Sequence, residues 1–248
     1  MITAGVDLSS QTAHTASCTI EWSGGRARVK DLVLDVDDDA IRALVQSVDK
    51  VGIDVPLGWP LAFADAVAEH SRRGTWPADY SHSDALAYRY RRTDLWVWKA
   101  LKGPPPLSVA TDRISIPAMR AAAVLSSLPV PVPPDGSDVV VEVYPAAALR
   151  QWGFTARGYK RKEQADARRL LVESVFRATA EWLSVGPAEV GRCLASDDAF
   201  DALVASLVAR AAAIGAVHPV PDGDRPAAVR EGWIAVPVAG SLELLPES

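Results

Sequence analysis

Five acidic residues stand in strongly apolar surroundings, where a charge without compensation is unfavourable. Asp198 and Asp201 lie three residues apart in an otherwise apolar helical run and therefore share one helix face. Three further acids each lie in or beside an apolar run with strand character: Asp7, Asp54 and Glu142. Buried carboxylates need a neutralising partner, and an oxygen-only set of ligands is what Mg²⁺ and Mn²⁺ prefer. The five acids therefore predict a divalent-metal site built from three strands and one helix.

Each acid taken alone also has a purely structural explanation. Asp7 would accept backbone hydrogen bonds at a strand end. Asp198 would be an early-helix carboxylate favoured by the helix dipole, with Ser196 as the N-cap. Asp201 is poorly explained in this way, because it lies one turn deeper in the same apolar helix. The occurrence of all five acids together favours the metal site.

Length and composition exclude several classes of protein. The chain has 248 residues, 49% hydrophobic and 23% charged, which predicts one folded domain over residues 1–248. Its two cysteines lack zinc-ligand spacing, so neither a disulfide framework nor a structural zinc is expected. The chain begins in an apolar strand, and no apolar run reaches the roughly 20 residues of a membrane span. We therefore expect a cytoplasmic protein with no membrane partner; the sequence leaves its oligomeric state open.

Hydrophobic periodicity predicts an α/β fold with a mixed sheet. Three strands, the last two joined by a hairpin signal at Ser23–Arg26, predict an antiparallel meander: residues 2–8, 13–22 and 26–35. A helix beginning near Asp37 and a short buried strand follow. Pro56 breaks this strand just after Asp54, so the carboxylate falls at a strand's C-terminal end, where open α/β sheets carry ligand sites.

The second half of the chain predicts flanking helices and an insertion. A strand containing Glu142, a late edge strand over 231–238 and several helices are expected, the helices near 115–128, 145–152, 161–183 and 196–214. Residues 71–113 predict an irregular insertion or lid rich in basic and aromatic side chains. Such a stretch is usually core plus solvated surface, and stacking of nucleic-acid bases on Trp96 or Trp98 is the alternative.

Six short motifs follow one another along the chain: Gly5-Val6-Asp7-Leu8-Ser9, Gly52-Ile53-Asp54-Val55-Pro56-Leu57-Gly58, Arg92-Thr93-Asp94, Glu142-Val143-Tyr144-Pro145-Ala146, Gly158-Tyr159-Lys160 and Asp198-Ala199-Phe200-Asp201-Ala202-Leu203. Over about residues 2–214 this series resembles that of the domain-of-unknown-function 429 family. Proteins of that family are regarded as predicted nucleases with a ribonuclease H-like fold, so the resemblance implies this fold and a nuclease activity. The last motif is also similar to the corresponding helix of RuvC-type Holliday-junction resolvases, which share that fold.

The resemblance implies a two-metal nuclease site. The five acids would converge at one edge of the sheet as metal ligands and catalytic residues: Asp7, Asp54, Glu142, Asp198 and Asp201. Two Mg²⁺ or Mn²⁺ ions there would activate a water molecule and stabilise the leaving oxygen in phosphodiester hydrolysis. Arg92 and Lys160 would bind a phosphate of the substrate, which is a nucleic acid or a smaller phosphate ester.

Two functions of other classes stay open. Proteins of the actin, hexokinase and Hsp70 group also carry Gly-x-Asp and small polar residues on their first strand, so Gly5 to Ser10 would suit nucleotide-dependent phosphoryl transfer. Those proteins normally repeat the fold twice, and 248 residues is short for that. The other alternative is a non-catalytic module that binds nucleic acid or a regulatory ligand. Metal-dependent cleavage of phosphodiester bonds is the leading prediction.

Overall fold

The computed structural model describes residues 1–76 and 82–247, and a mixed sheet lies at its centre. Within these residues the strands are β1 (Ile2–Asp7), β2 (Ala16–Ser23), β3 (Arg26–Leu34), β4 (Lys50–Asp54), β5 (Val140–Glu142) and β6 (Leu183–Ser184). Their order across the sheet is β5-β4-β1-β2-β3-β6. β1, β2 and β3 form an antiparallel meander, whereas β4 pairs parallel to β1, β5 parallel to β4 and β6 parallel to β3. The predicted mixed α/β sheet with a three-strand meander is confirmed.

Helices flank this sheet. They are α1 (Asp38–Ser47), α2 (Leu61–Arg73), α3 (His82–Arg89), α4 (Arg92–Leu101), α5 (Ser115–Ser126), α6 (Pro145–Gln151), α7 (Ala165–Thr179), α8 (Pro187–Ala195), α9 (Asp197–Ala213) and α10 (Arg225–Glu231). In the part of the chain that the structure describes, none of them combines the length and the apolar character needed to cross a bilayer.

Helix α9 lies directly against β1 and β4, and two glycines permit this close approach. A Cβ atom on Gly5 would lie 2.1 Å from the Ala202 carbonyl oxygen, and one on Gly52 would lie 2.5 Å from that of Ala205. Thr3 Oγ1 and Ser206 Oγ share a hydrogen bond of 2.9 Å. Since residue 206 lies beside Thr3 and residue 202 beside Gly5, α9 runs antiparallel to β1. Its N-terminal turns therefore lie at the C-terminal end of that strand.

The two faces of the sheet pack against different helices. On one face, Cys18 and Ile20 of β2 join a core with Phe200 and Leu203 of α9. On the other face, residues of β1, β4 and β5 join a core with α1 and α5: Ala4, Val6, Val51, Ile53 and Val140. Because strand side chains alternate between faces, Gly5 and Asp7 belong to the α9 face, as do Gly52 and Asp54.

The predicted irregular insertion over 71–113 is largely helical where the structure describes it, since it contains α3 and α4. Asp94, the third residue of α4, accepts a hydrogen bond of 3.0 Å from the backbone N–H of Arg91, which caps this helix without Ser or Thr at its start. Val97 of the same helix packs against Ile234 and Val236. Residues 77–81 of the insertion lie outside the described residues.

The C-terminal third departs from expectation in three places. The helix predicted over 161–183 is limited to α7, and it is followed by β6 and the unforeseen α8. Helix α10 was not foreseen either. The predicted edge strand over 231–238 is reduced to two isolated bridges, Ile234 with Glu142 and Pro237 with Val217. Pro237 has no N–H to donate, so a regular strand ladder cannot continue through it.

Candidate functional site

Asp7 and Asp54 are the last residues of two adjacent parallel strands, and they are register partners. Both belong to the face of the sheet that carries α9, so their carboxylates lie side by side at the point where α9 begins. Asp198 is in the first turn of α9. These three acids and Glu142 line one cavity of about 710 Å³. The structure therefore brings four of the five predicted acids to one cavity.

The fifth acid, Asp201, lies behind the cavity wall and is fully buried. Tyr159 donates a hydrogen bond of 2.7 Å from its hydroxyl to Asp201 Oδ1. Lys160 Nζ lies 2.5 Å from Asp201 Oδ2 and 3.7 Å from Asp54 Oδ2. Among the described residues, this ammonium is the charge that compensates the buried Asp201 Oδ2. The ammonium of Lys160 thus lies between the carboxylates of Asp54 and Asp201.

The turn that carries Lys160 is held rigidly. Gly158 has φ of +80°, a backbone conformation that other residues adopt only with strain. Tyr159 is buried, and its ring meets that of Phe200 edge to face with centroids 6.0 Å apart. The backbone before Lys160 is therefore held in place, and the Lys160 side chain lines the cavity.

Burial and mutual repulsion raise the pKa of the clustered carboxyls. Burial, with repulsion from Asp54 and Asp201, raises the pKa of Asp7 well above its usual range, against the opposing effect of Lys160. Burial and Asp201 raise the pKa of Asp54 to about 7, again opposed by Lys160. Burial also raises the pKa of Asp201 despite stabilising contacts from Lys160 and Tyr159. One ammonium does not neutralise three carboxylates, so the cluster favours protons or a further cation.

Glu142 differs from the other acids in both position and pairing. It is the register partner of Ile53 rather than of Asp54, so alternation along β5 assigns it to the face of the sheet opposite to α9. Arg91 donates two hydrogen bonds of 2.7 Å to its oxygens, and the Leu57 N–H adds a third at 2.9 Å. With both oxygens engaged, Glu142 is suited to a buried ion pair, and this geometry gives its predicted metal-binding role no support.

Arg92, the predicted phosphate ligand, does not line the cavity. Its Nε and Nη2 lie 2.8 Å and 2.6 Å from Asp224 Oδ1, and 58% of its side chain is exposed. The preceding residue, Arg91, points inward instead and also binds Asp94 through a hydrogen bond of 2.9 Å. Consecutive residues at the start of a helix point in different directions. The sequence alone therefore does not indicate which of the two neighbouring arginines is buried. The other predicted phosphate ligand, Lys160, does line the cavity.

A buried acid that the sequence did not single out, Glu231, organises the surroundings of the cavity. Its Oε1 accepts a hydrogen bond of 2.8 Å from Leu61 N, and its Oε2 accepts one of 2.7 Å from Arg92 N. One carboxylate therefore caps both α2 and α4. In the sequence, only its position at the start of an apolar segment indicated that Glu231 is buried.

The donors around the cavity fit a hard divalent cation, with one condition. Asp7, Asp54 and Asp198 offer carboxylate oxygens, which Mg²⁺ and Mn²⁺ prefer, and Oδ2 of Asp201, whose contact is the ammonium of Lys160, lies just behind. As the side chains stand, no three Asp, Glu, His or Cys residues within 1–76 and 82–247 form a ready metal-binding group. Because Lys160 lies between two of the candidate ligands, an ion could use both of them only if this side chain moved.

Comparisons with known proteins give a family and no closer relative. Neither the curated proteins nor the solved structures yield a significant match. The model of a family described as "Protein of unknown function (DUF429)" matches residues 5–225, a span that contains all five predicted acids and Lys160 and ends before Glu231. The chain therefore belongs to the DUF429 family.

Proposed function

We propose that this protein is a metal-dependent hydrolase of phosphate esters, with the phosphodiester bonds of a nucleic acid as its leading substrate. The observation that carries the proposal is the pairing of Asp7 with Asp54 at the ends of two parallel strands, with Asp198 in the same cavity. The sheet order and the meander agree with a ribonuclease H-like fold, which is part of the proposal.

The residues of the chain divide into metal-holding and substrate-holding groups. Asp7, Asp54 and Asp198 would hold Mg²⁺ or Mn²⁺, joined by Asp201 once Lys160 has moved. When bound, such ions activate a water nucleophile and neutralise charge at the leaving oxygen. Arg113 lines the same cavity and supplies a positive charge for the phosphate.

The cavity also limits the size of the substrate. A volume of about 710 Å³ falls within the range of roughly 300–1,000 Å³ that is usual for small-molecule sites. A nucleic acid would therefore enter with one end or with one unpaired nucleotide. The same volume favours a second candidate function, hydrolysis of a small phosphate ester or nucleotide.

The experiment compares wild type with Asp7→Asn and a matched control, Asp31→Asn, which changes an exposed acid on β3. Each is incubated with Mg²⁺ or Mn²⁺ and with single-stranded, duplex and branched DNA, RNA, and the small ester bis-p-nitrophenyl phosphate. We expect cleavage by wild type and Asp31→Asn and its loss in Asp7→Asn. Absence of metal-dependent cleavage of every substrate, or full activity of Asp7→Asn, would contradict the proposal.

A further inference from the structure

The ammonium of Lys160 lies among the carboxylates of Asp7, Asp54 and Asp201. Its Nζ contacts Asp201 Oδ2 at 2.5 Å and Asp54 Oδ2 at 3.7 Å. Asp54 is in register with Asp7, so carboxylates from β1, β4 and α9 face the same small volume. The ammonium thus lies between two carboxylate oxygens that a bound divalent ion would use as ligands.

The side chain of Lys160 is able to leave this place without unfolding. Its side chain is 47% exposed and lines the open cavity, although its Nζ contacts the fully buried Asp201. Tyr159 anchors the backbone through its buried ring and its hydrogen bond to Asp201. A lysine ammonium is strongly hydrated and has a flexible four-carbon stem, so a position in the open cavity is accessible to it.

Charge repulsion makes exchange more favourable than simple addition. If a divalent ion joined the carboxylates while Lys160 remained, two cationic groups would lie within a few ångströms of each other in a poorly solvated place. Movement of the ammonium into the cavity removes this repulsion and frees Asp201 Oδ2. It also brings the positive charge to the side where a phosphate would bind.

We propose that Lys160 is an internal counter-cation that fills the metal position in the metal-free protein, and that a divalent ion binds by displacing it. This inference rests on the proposed function, because it requires that a divalent ion binds these carboxylates. The ion-free cluster is thereby kept folded, and the displaced ammonium becomes available to the substrate phosphate.

Calorimetric titration of the full chain with Mg²⁺ and with Mn²⁺ tests this. Lys160→Met keeps an unbranched apolar stem but removes the competing charge, so we expect its affinity for the ion to exceed that of wild type by about tenfold or more. The matched control is Arg161→Met, which removes a positive charge from the same cavity wall and is not within salt-bridge distance of Asp54 or Asp201. We expect its affinity to change far less.

The outcomes separate this inference from the function on which it rests. Equal affinity of wild type and Lys160→Met, or an equal gain in Arg161→Met, overturns the counter-cation and leaves metal binding intact. If neither wild type nor Lys160→Met binds either ion, the metal-dependent function fails as well.

A measurement on wild type does not depend on whether the variant folds. Reductive methylation with formaldehyde and cyanoborohydride labels lysine amines, and mass spectrometry reports Lys160 against exposed Lys30 on β3. We expect the labelling of Lys160 relative to Lys30 to rise several-fold between chelator and saturating Mg²⁺, because the ammonium leaves its carboxylates. An unchanged ratio at an Mg²⁺ concentration that saturates the site by calorimetry overturns the inference.

Discussion

Asp7 and Asp54 end two neighbouring parallel strands at the same register position, so their half-buried side chains lie side by side at one end of the sheet. The nearest compensation is a single ammonium, that of Lys160. This arrangement gathers more carboxyl groups than cations, and it is the reason why we propose a divalent ion as their ligand.

The pH dependence of stability follows from the pKa of Asp54. Burial raises this pKa from an ordinary value near 3.8 to about 7 in the folded protein. The folded state therefore holds this proton more tightly than the unfolded state, and the resulting stability is full below about pH 4 and is lost as pH rises through about 7. In chelator, we expect the thermal midpoint of wild type to fall between pH 6 and pH 8.

Asp54→Asn isolates this effect from the other titrating groups. Its thermal midpoint in chelator should vary less between pH 6 and pH 8 than that of wild type. A wild-type midpoint that rises over this interval, or an identical pH profile for Asp54→Asn, would show that Asp54 is already ionised in the folded protein.

Glu142→Gln tests whether Glu142 is a structural partner of Arg91 or a metal ligand. The change removes one of the two buried carboxylates that pair with Arg91, while Asp94 stays, so we expect a loss of about 2–4 kcal/mol in the free energy of unfolding. Urea denaturation in chelator measures it. Below its unfolding transition, the variant should bind Mg²⁺ with the affinity of wild type. Unchanged stability together with lost Mg²⁺ binding would mean that Glu142 is a metal ligand.

Glu231→Ala tests the double cap of α2 and α4. The change leaves the backbone N–H groups of Leu61 and Arg92 without their acceptor, and we expect a loss of about 3–6 kcal/mol, since hydrogen bonds to a charged group contribute about 1.5–3 kcal/mol each. Exposed Glu243→Ala is the control and should change the free energy by less than about 0.5 kcal/mol. If the two variants have equal denaturation midpoints, Glu231 does not organise these helices.

The sheet and the central acids were predictable because local signals decide them. The apolar runs determine β1 and β4, and Pro56 ends β4 just after Asp54. The spacing of Asp198 and Asp201 in an apolar run determines their helix. Side-by-side placement of Asp7 and Asp54 follows from parallel pairing in the observed register.

The surroundings of the site depend on contacts between distant parts of the chain, which a single sequence does not reveal. A shift of one residue in register decides that Glu142 pairs with Ile53 and so falls on the other face of the sheet. Its partner Arg91 lies 51 residues away in sequence. Lys160 could be singled out from its motif, but its contact with Asp201 depends on the packing of α9 against a turn 41 residues earlier.

The central claim is that the carboxylate cluster binds a divalent ion through Asp7, and thermal unfolding across an Mg²⁺ or Mn²⁺ titration tests it most directly. In chelator, Asp7→Asn should be as stable as wild type or more so, since it removes one of several repelling charges. Wild type should gain about 2.7 kcal/mol at a hundredfold excess of ion over the dissociation constant, and Asp7→Asn should lose most of that gain. If Asp7→Asn is strongly destabilised in chelator and wild type responds to neither ion, Asp7 is a structural hydrogen-bond acceptor and the claim is wrong.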